Sequence, residues 1–217
     1  MGKSELLTEE LLGQMKNLFD KMNQEVKIVA ILEEGNCKSV ELNDFLEDIA
    51  KTSDLLKLEK RNKEDVSAHK EVFDLEHLPS VHLFVNNDRY TGISFHGIPS
   101  GKELNSFVAA VLNCGGAGQA PDKFLKKSID SIKKQKDIKI FVSLACHHCP
   151  HVVSACHKIA YLNQNVQAHM YDANIYPDLV EQYKIERVPM IVINESNVYY
   201  GKKSIEEIAN LLNMTKN

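Results

Sequence analysis

The stretch Ser143-Leu144-Ala145-Cys146-His147-His148-Cys149-Pro150 separates two segments of different rhythm. Before it, Ile138 to Leu144 is an apolar run short enough for one strand. After it, Val152, Val153, Cys156, Ile159 and Ala160 recur at helical spacing. A Cys-x-x-Cys at such a strand-to-helix junction reads as a redox dithiol. Cys146 would stand at the helix N-terminus, where unpaired backbone N–H groups and the macrodipole favour a thiolate. Cys149 follows one turn later on the same face, where it can close a disulfide with Cys146. Pro150 falls in the first turn, where its missing N–H removes no helical bond. The alternative is half of a zinc site, since Cys and His are both zinc ligands. No second Cys-x-x-Cys or His-x-x-x-His supplies the remaining ligands.

Bulk properties narrow the classes. A chain of 217 residues, 43% hydrophobic and 26% charged, can build a sizeable core as one large domain or two small ones. Its net charge of −4 argues against nucleic acid as a partner. Residues 1–116 carry 20 acidic and 13 basic side chains, a balance of −7, and residues 117–217 carry 10 and 13, a balance of +3. No run of 18 apolar residues and no signal-peptide layout is present, so no membrane association is expected. Five cysteines with only one close pair do not make a structural disulfide framework. Together these features predict a cytoplasmic protein.

Outward from the dithiol, the chain repeats itself. The first half reads as a helix capped at Thr8, a strand Val26 to Leu32, and a helix Cys37 to Ala50 with Val40, Phe45, Leu46 and Ile49 on one side. A strand at Leu55 to Glu59 and a weak helix at Glu64 to Phe73 follow. Val81 to Val85 then makes a hairpin through Asn86-Asn87-Asp88 with Ile93 to Phe95, and Ser100 to Leu112 is a helix. After a small-residue break at Gly116 to Pro121, the second half runs in the same order. A helix Pro121 to Lys134 with Phe124, Leu125, Ile129 and Ile132 apolar leads into the strand and the dithiol helix. Val166 to Tyr171, Tyr176 to Tyr183, Met190 to Ile193, Val198 to Tyr200 and a helix from Ser204 complete it. The spacing supports a duplication: Val26 to Cys37 and Ile138 to Cys149 both span eleven residues, and Cys37 to Pro79 spans 42 against 40 for Cys149 to Pro189. Both final helices open on Ser-x-x-Glu, at Ser100/Glu103 and Ser204/Glu207, which is capping-box spacing. Glu34 holds the place of Cys146 in the first half, so that half cannot do dithiol chemistry. The expected architecture is α/β, two tandem folds at 1–116 and 117–217, each a mixed sheet flanked by helices.

Several stretches carry a family likeness: Phe95-His96-Gly97-Ile98-Pro99-Ser100-Gly101-Lys102-Glu103, Gly115-Gly116, Ser143 to Pro150, Val188-Pro189 and Gly201. Through them nearly the whole chain resembles the N-terminal domain of the flavoprotein subunit of alkyl hydroperoxide reductase, a tandem pair of thioredoxin-like folds. The resemblance implies a redox-dead first fold and a second fold whose dithiol carries electrons from a flavoprotein reductase of thioredoxin-reductase type to a peroxiredoxin. FAD and NAD(P)H would then belong to the partner reductase alone. No Gly-x-Gly-x-x-Gly follows any strand here, and Gly116-Ala117-Gly118 lacks the third glycine. A second resemblance is to archaeal tandem-thioredoxin disulfide oxidoreductases, which keep a dithiol in both halves. The resemblance also implies a cis-proline at Pro189, after Val188, that faces the dithiol and frees the preceding backbone to pair with a partner peptide.

The roles follow from thiol–disulfide exchange, in which a thiolate attacks a disulfide. Cys146, nearer the helix end and preceded by a loop, is the expected nucleophile, and Cys149 resolves. Lowering a thiol pKa from about 8.5 to about 7 raises the thiolate fraction roughly 16-fold, but reduced nucleophilicity leaves a rate gain of about threefold. His147 and His148 either strengthen the thiolate when protonated or merely shape the loop. Cys37, Cys114 and Cys156 are expected as buried or half-buried thiols, and His69, His77, His82 and His96 receive no role. For Glu103 two expectations compete. The resemblance points it at the dithiol as proton acceptor for Cys149; the Ser-x-x-Glu spacing makes it a helix cap. Competing functions are a general disulfide reductase or isomerase and a zinc-binding or scaffolding module.

Overall fold

The computed structural model describes residues 3–69, 73–86 and 88–215. Seven helices, α1 (Glu9–Phe19), α2 (Cys37–Ala50), α3 (Leu104–Cys114), α4 (Lys123–Asp130), α5 (Cys149–Leu162), α6 (Pro177–Tyr183) and α7 (Ile205–Met214), pack on eight strands among these residues. The strands are β1 (Val26–Leu32), β2 (Leu56–Asn62), β3 (Ser80–Val85), β4 (Arg89–His96), β5 (Lys136–Val142), β6 (Val166–Asp172), β7 (Met190–Ile193) and β8 (Asn197–Tyr200). Part of the weak helix expected at Glu64 to Phe73 is a 3-10 helix, Glu64–His69. Residues 70–72, and Asn87 of the expected turn, lie outside the described residues.

Local chemistry sets the element boundaries. Thr8 accepts the Leu11 N–H at 3.2 Å to open α1, Asn36 accepts the Lys38 N–H at 2.9 Å to open α2, and Asp122 accepts from Phe124 and Leu125 to open α4. Ser204 and Glu207 form the expected capping box at α7. The box expected at Ser100 does not form. Ser100 makes no side-chain cap bond, Gly101–Glu103 is a short 3-10 turn, and α3 starts only at Leu104.

Two mixed sheets of equivalent order, β2-β1-β3-β4 and β6-β5-β7-β8, are fused into one of eight strands. The joint is parallel: Ile93, Ser94, Phe95 and His96 of β4 pair with Ala168, His169, Met170 and Tyr171 of β6. β4 is twice as long as its counterpart β8. The surplus is visible in the spacing, since Pro79 to Ser100 spans 21 residues and Pro189 to Ser204 only 15.

One face of the sheet carries the main core. Ile28, Leu83, Phe95, Ile140 and Met170 from the strands meet Phe45, Phe107, Val152 and Ile159 from the helices. Two smaller clusters cover the other face, around Val66 and Phe73 and around Tyr171 and Leu179. Two expected core positions are corrected. Val40 is 64% exposed and Phe124 is 88% exposed. At about 100° per residue, Val40 lies roughly 140° around α2 from Phe45, and the stripe runs instead through Leu42, Phe45, Leu46 and Ile49. Phe124 likewise stands one position off the Leu125–Ile129 stripe.

Candidate functional site

The loop between β5 and α5 holds Cys146 half-buried, while Cys149 is the first residue of α5 and wholly buried. The two are joined in a disulfide with Cα atoms 5.5 Å apart. The Cys149 N–H points at Cys146 Sγ, 3.2 Å away. The sulfur therefore occupies the place of a capping acceptor at a helix N-terminus, where free N–H groups and the dipole stabilise negative charge. Pro150 sits in the first turn of α5. His147 and His148 are exposed, and Val188 is half-buried against the same core cluster as Cys146.

The first half holds this loop in place. Lys102 N–H donates to Leu144 O at 2.9 Å. Gly101 has φ +56°, and a Cβ there would lie 2.9 Å from the same carbonyl oxygen, so this close approach requires glycine. From the other side, Asn174 donates to Ser143 Oγ at 3.3 Å. Val188–Pro189 is a cis peptide, and so is its repeat counterpart Leu78–Pro79. Gly201 N–H meets Pro189 O at 2.9 Å as Gly97 N–H meets Pro79 O at 2.8 Å.

Glu103 is turned inward rather than capping its helix. It is wholly buried; Oε2 is bonded to the Ser106 hydroxyl, and Oε1 has no partner. Burial pushes its pKa up from 4.5 to about 7; the Ser106 hydroxyl opposes that rise and the charge of Asp172 adds to it. A carboxyl of this kind holds or gives up a proton near neutrality. Burial pushes the Cys114 and Cys156 thiols up to about 12. Cys37, expected to be at least half-buried, is exposed at the start of α2, with Glu34 exposed nearby.

Three of the histidines given no role, His77, His82 and His96, prove to be organised near the joint between the halves. Ser80 and His82 on β3 face His96 and Ser94 on β4, residue for residue. Ser94 bridges His96 Nε2 at 3.1 Å and His169 Nδ1 at 2.7 Å, and His96 Nδ1 donates to the His77 carbonyl at 2.9 Å. His77 places Nδ1 2.6 Å from Asp74 and Nε2 2.8 Å from Asp178 on α6. Burial draws the His77 pKa down, but its two carboxylate partners outweigh that and leave it raised. The repeated Ser-x-His of Ser80-Val81-His82 and Ser94-Phe95-His96 is the signal in the sequence, a period-two pairing on adjacent strands. Among the described residues, no group of three or more His, Cys, Asp or Glu side chains could hold a metal ion, and no helix is long and apolar enough to cross a membrane.

Comparison with known proteins gives consistent relatives. A family model described as thioredoxin domain matches residues 136–213. The AhpF subunit of alkyl hydroperoxide reductase from Pseudomonas putida is 32% identical over 203 residues, which are 94% of this chain and 36% of that protein. The chain thus spans about a third of that relative's length. The crystal structure of the NTD_N/C domain of alkylhydroperoxide reductase AhpF from Enterococcus faecalis (V583) is 38% identical, with a TM-score of 0.90 over 95% of this chain and 99% of that one. A protein disulfide oxidoreductase from Aeropyrum pernix K1 shares the fold at 21% identity, with a TM-score of 0.84 over 95% of this chain and 92% of that one. The fold is thus a pair of tandem thioredoxin-like units whose sheets have merged.

Proposed function

We propose, for a chain that belongs to the AhpF family of alkyl hydroperoxide reductase and matches its N-terminal domain, that this dithiol–disulfide oxidoreductase relays electrons from a flavoprotein reductase to a peroxiredoxin-type partner. The observation that carries the reading is the Cys146 sulfur at the α5 N-terminus, half-buried beside a buried Cys149. We divide the chain at 116/117 into a scaffold fold without a dithiol and a fold that carries it. Three free thiols, Cys37, Cys114 and Cys156, suit a reducing, cytoplasmic setting.

In the reduced form, the Cys146 thiolate attacks a partner disulfide. One S–S bond breaks, a mixed disulfide forms at Cys146, and the departing partner sulfur carries the electron pair. Glu103 takes the proton of the Cys149 thiol: the S–H bond breaks and an O–H bond forms on the carboxylate. The Cys149 thiolate then attacks Cys146 Sγ, restoring the Cys146–Cys149 disulfide and releasing the second partner thiolate. Two electrons have passed to the partner. Val188 and Pro189 present the backbone against which a partner peptide lies, and His147 and His148 shape the entrance.

No Gly-x-Gly-x-x-Gly fingerprint for flavin or nicotinamide follows a strand in this sequence. Its Gly116-Ala117-Gly118 follows α3 rather than a strand and lacks the third glycine. We assign FAD and NAD(P)H to the reductase that reloads the dithiol. The test is trapping. Cys149→Ser leaves Cys146 free to attack but removes the resolving thiol, so a stable adduct with a peroxiredoxin should accumulate and be lost on adding Cys146→Ser. Adducts through Cys37, or a Cys149 that alkylates before Cys146 in the reduced protein, would refute the assignment.

A further inference from the structure

Ser106 makes two contacts that compete for one proton. Its hydroxyl lies 2.8 Å from the Glu103 main-chain carbonyl and is also hydrogen-bonded to Glu103 Oε2. A hydroxyl has one hydrogen to donate, and an ionised carboxylate is the stronger acceptor. Both residues are wholly buried, so bulk water does not supply a substitute donor. The second carboxyl oxygen, Oε1, has no partner.

We infer that Ser106 is the positioning residue for Glu103: its hydroxyl holds Oε2, stabilises the ionised carboxyl in the core, and leaves Oε1 as the atom that accepts a proton. This rests on the reading of Glu103 as the proton acceptor for Cys149. The turn Gly101–Glu103 that carries the carboxyl lies against α5, whose first residue is Cys149. The charged group that faces it from the second half is Asp172, buried at the end of β6; Lys102 on its own turn is exposed. Asp172 and burial both disfavour ionisation, and the Ser106 hydroxyl alone opposes them. When Glu103 is protonated, the hydroxyl can swing to the main-chain carbonyl, so its orientation follows the state of the carboxyl.

The direct experiment is a carbon-13 NMR titration of the Glu103 carboxyl in the oxidised protein, with the signal assigned by its loss in Glu103→Gln. Ser106→Ala should raise the midpoint by about one pH unit, the scale of a lost hydrogen bond to a charged group. Ser106→Thr should restore it, because it keeps the hydroxyl. If Ser106→Ala does not fold, Ser106→Cys retains much of the volume with a weak donor and should also shift the midpoint upward. The kinetic counterpart uses a mixed disulfide of Cys146 with 5-thio-2-nitrobenzoate, whose yellow thiolate reports resolution by Cys149. Its rate should follow the carboxyl midpoint, and the rise should move to higher pH in Ser106→Ala. An unmoved carboxyl midpoint in the Ala or Cys variant overturns the role of Ser106. An unchanged rate profile in Glu103→Gln instead removes Glu103 from resolution, while the NMR midpoint still reports on Ser106.

Discussion

Replacing Glu103 by Gln should make the oxidised protein more stable at neutral pH, and by an amount that depends on pH. In the folded chain the carboxyl keeps its proton up to about pH 7, whereas its ordinary value is 4.5. At about 1.36 kcal/mol per pH unit, ionising it costs roughly 3 kcal/mol more in the fold than in the unfolded chain. Below 4.5 both states hold the proton and nothing is lost. Between 4.5 and 7 the folded state binds more protons than the unfolded one, so stability falls as pH rises through that window and levels off above it. Gln cannot ionise. The stability difference between Glu103→Gln and the parent should therefore grow in favour of Gln by roughly 3 kcal/mol between pH 4 and pH 8. For a chain of this size that is about 6–12 °C in Tm. Urea denaturation of both proteins across that range, with the disulfide intact, measures it. A difference that stays constant with pH, or that turns in favour of the parent as pH rises, would refute the argument, because a packing change adds the same increment at every pH and a capping carboxylate would have a lowered pKa. The structure already speaks against the cap, since Ser100 makes no capping bond and Glu103 faces Ser106.

Further expectations can be measured alongside it. Oxidised native protein should present one readily alkylated thiol, Cys37; reduction should add Cys146, and Cys114 and Cys156 should react only on unfolding, as peptide mapping after iodoacetamide would show. Because Glu34 stands in the nucleophile position, Cys37→Ala should hold turnover within about twofold, roughly 0.4 kcal/mol of barrier, and a tenfold loss would bring the first half into the electron path. His77 has a raised pKa, so its stabilising contacts with Asp74 and Asp178 are complete below about 6.5 and fade as pH rises through the raised value. Asp178→Asn should thus be less stable than the parent at pH 6, with the two converging at higher pH; thermal melts showing a gap that widens with pH would contradict it.

The parts of the fold legible in the sequence are those written in local chemistry. β1, α2 and β7 fall on the residues expected, Val26–Leu32, Cys37–Ala50 and Met190–Ile193, because apolar runs, caps and a preceding proline bound them. The disulfide between Cys146 and Cys149 and the cis bond at Pro189 are likewise legible, the first from spacing and the second from family likeness. Features set by contacts between distant residues are not. Nothing near Ile93 announces that it will lie beside Ala168, and the fusion of the two sheets depends on that pairing. The same holds for Glu103: its capping spacing is a local statement, and burial among α3, α5 and β6 overrides it. His77 and Asp178 are 101 positions apart, so their contact leaves no trace in either neighbourhood.

The joint between the two sheets also bears on whether a duplicated fold can go on adding copies of itself. Joining the β4 edge of one unit to the leading edge of the next is a head-to-tail contact, and such contacts have no inherent end; repeated, they build a filament. The trailing edge does not limit this, because Ile93 to His96 have counterparts in Asn197 to Tyr200 of β8, each run ending just before the glycine that meets the cis-proline carbonyl. The leading edges do differ: Ala168, His169, Met170 and Tyr171 of β6, which receive β4, correspond to Leu58, Glu59, Lys60 and Arg61 of β2. The opposite free edge, β2, bears Lys57, Lys60 and Arg61, side chains that discourage strand pairing. The duplicated sheet thus has a receptive leading edge in its second unit and a charged one in its first, and it is the charged one that stays open.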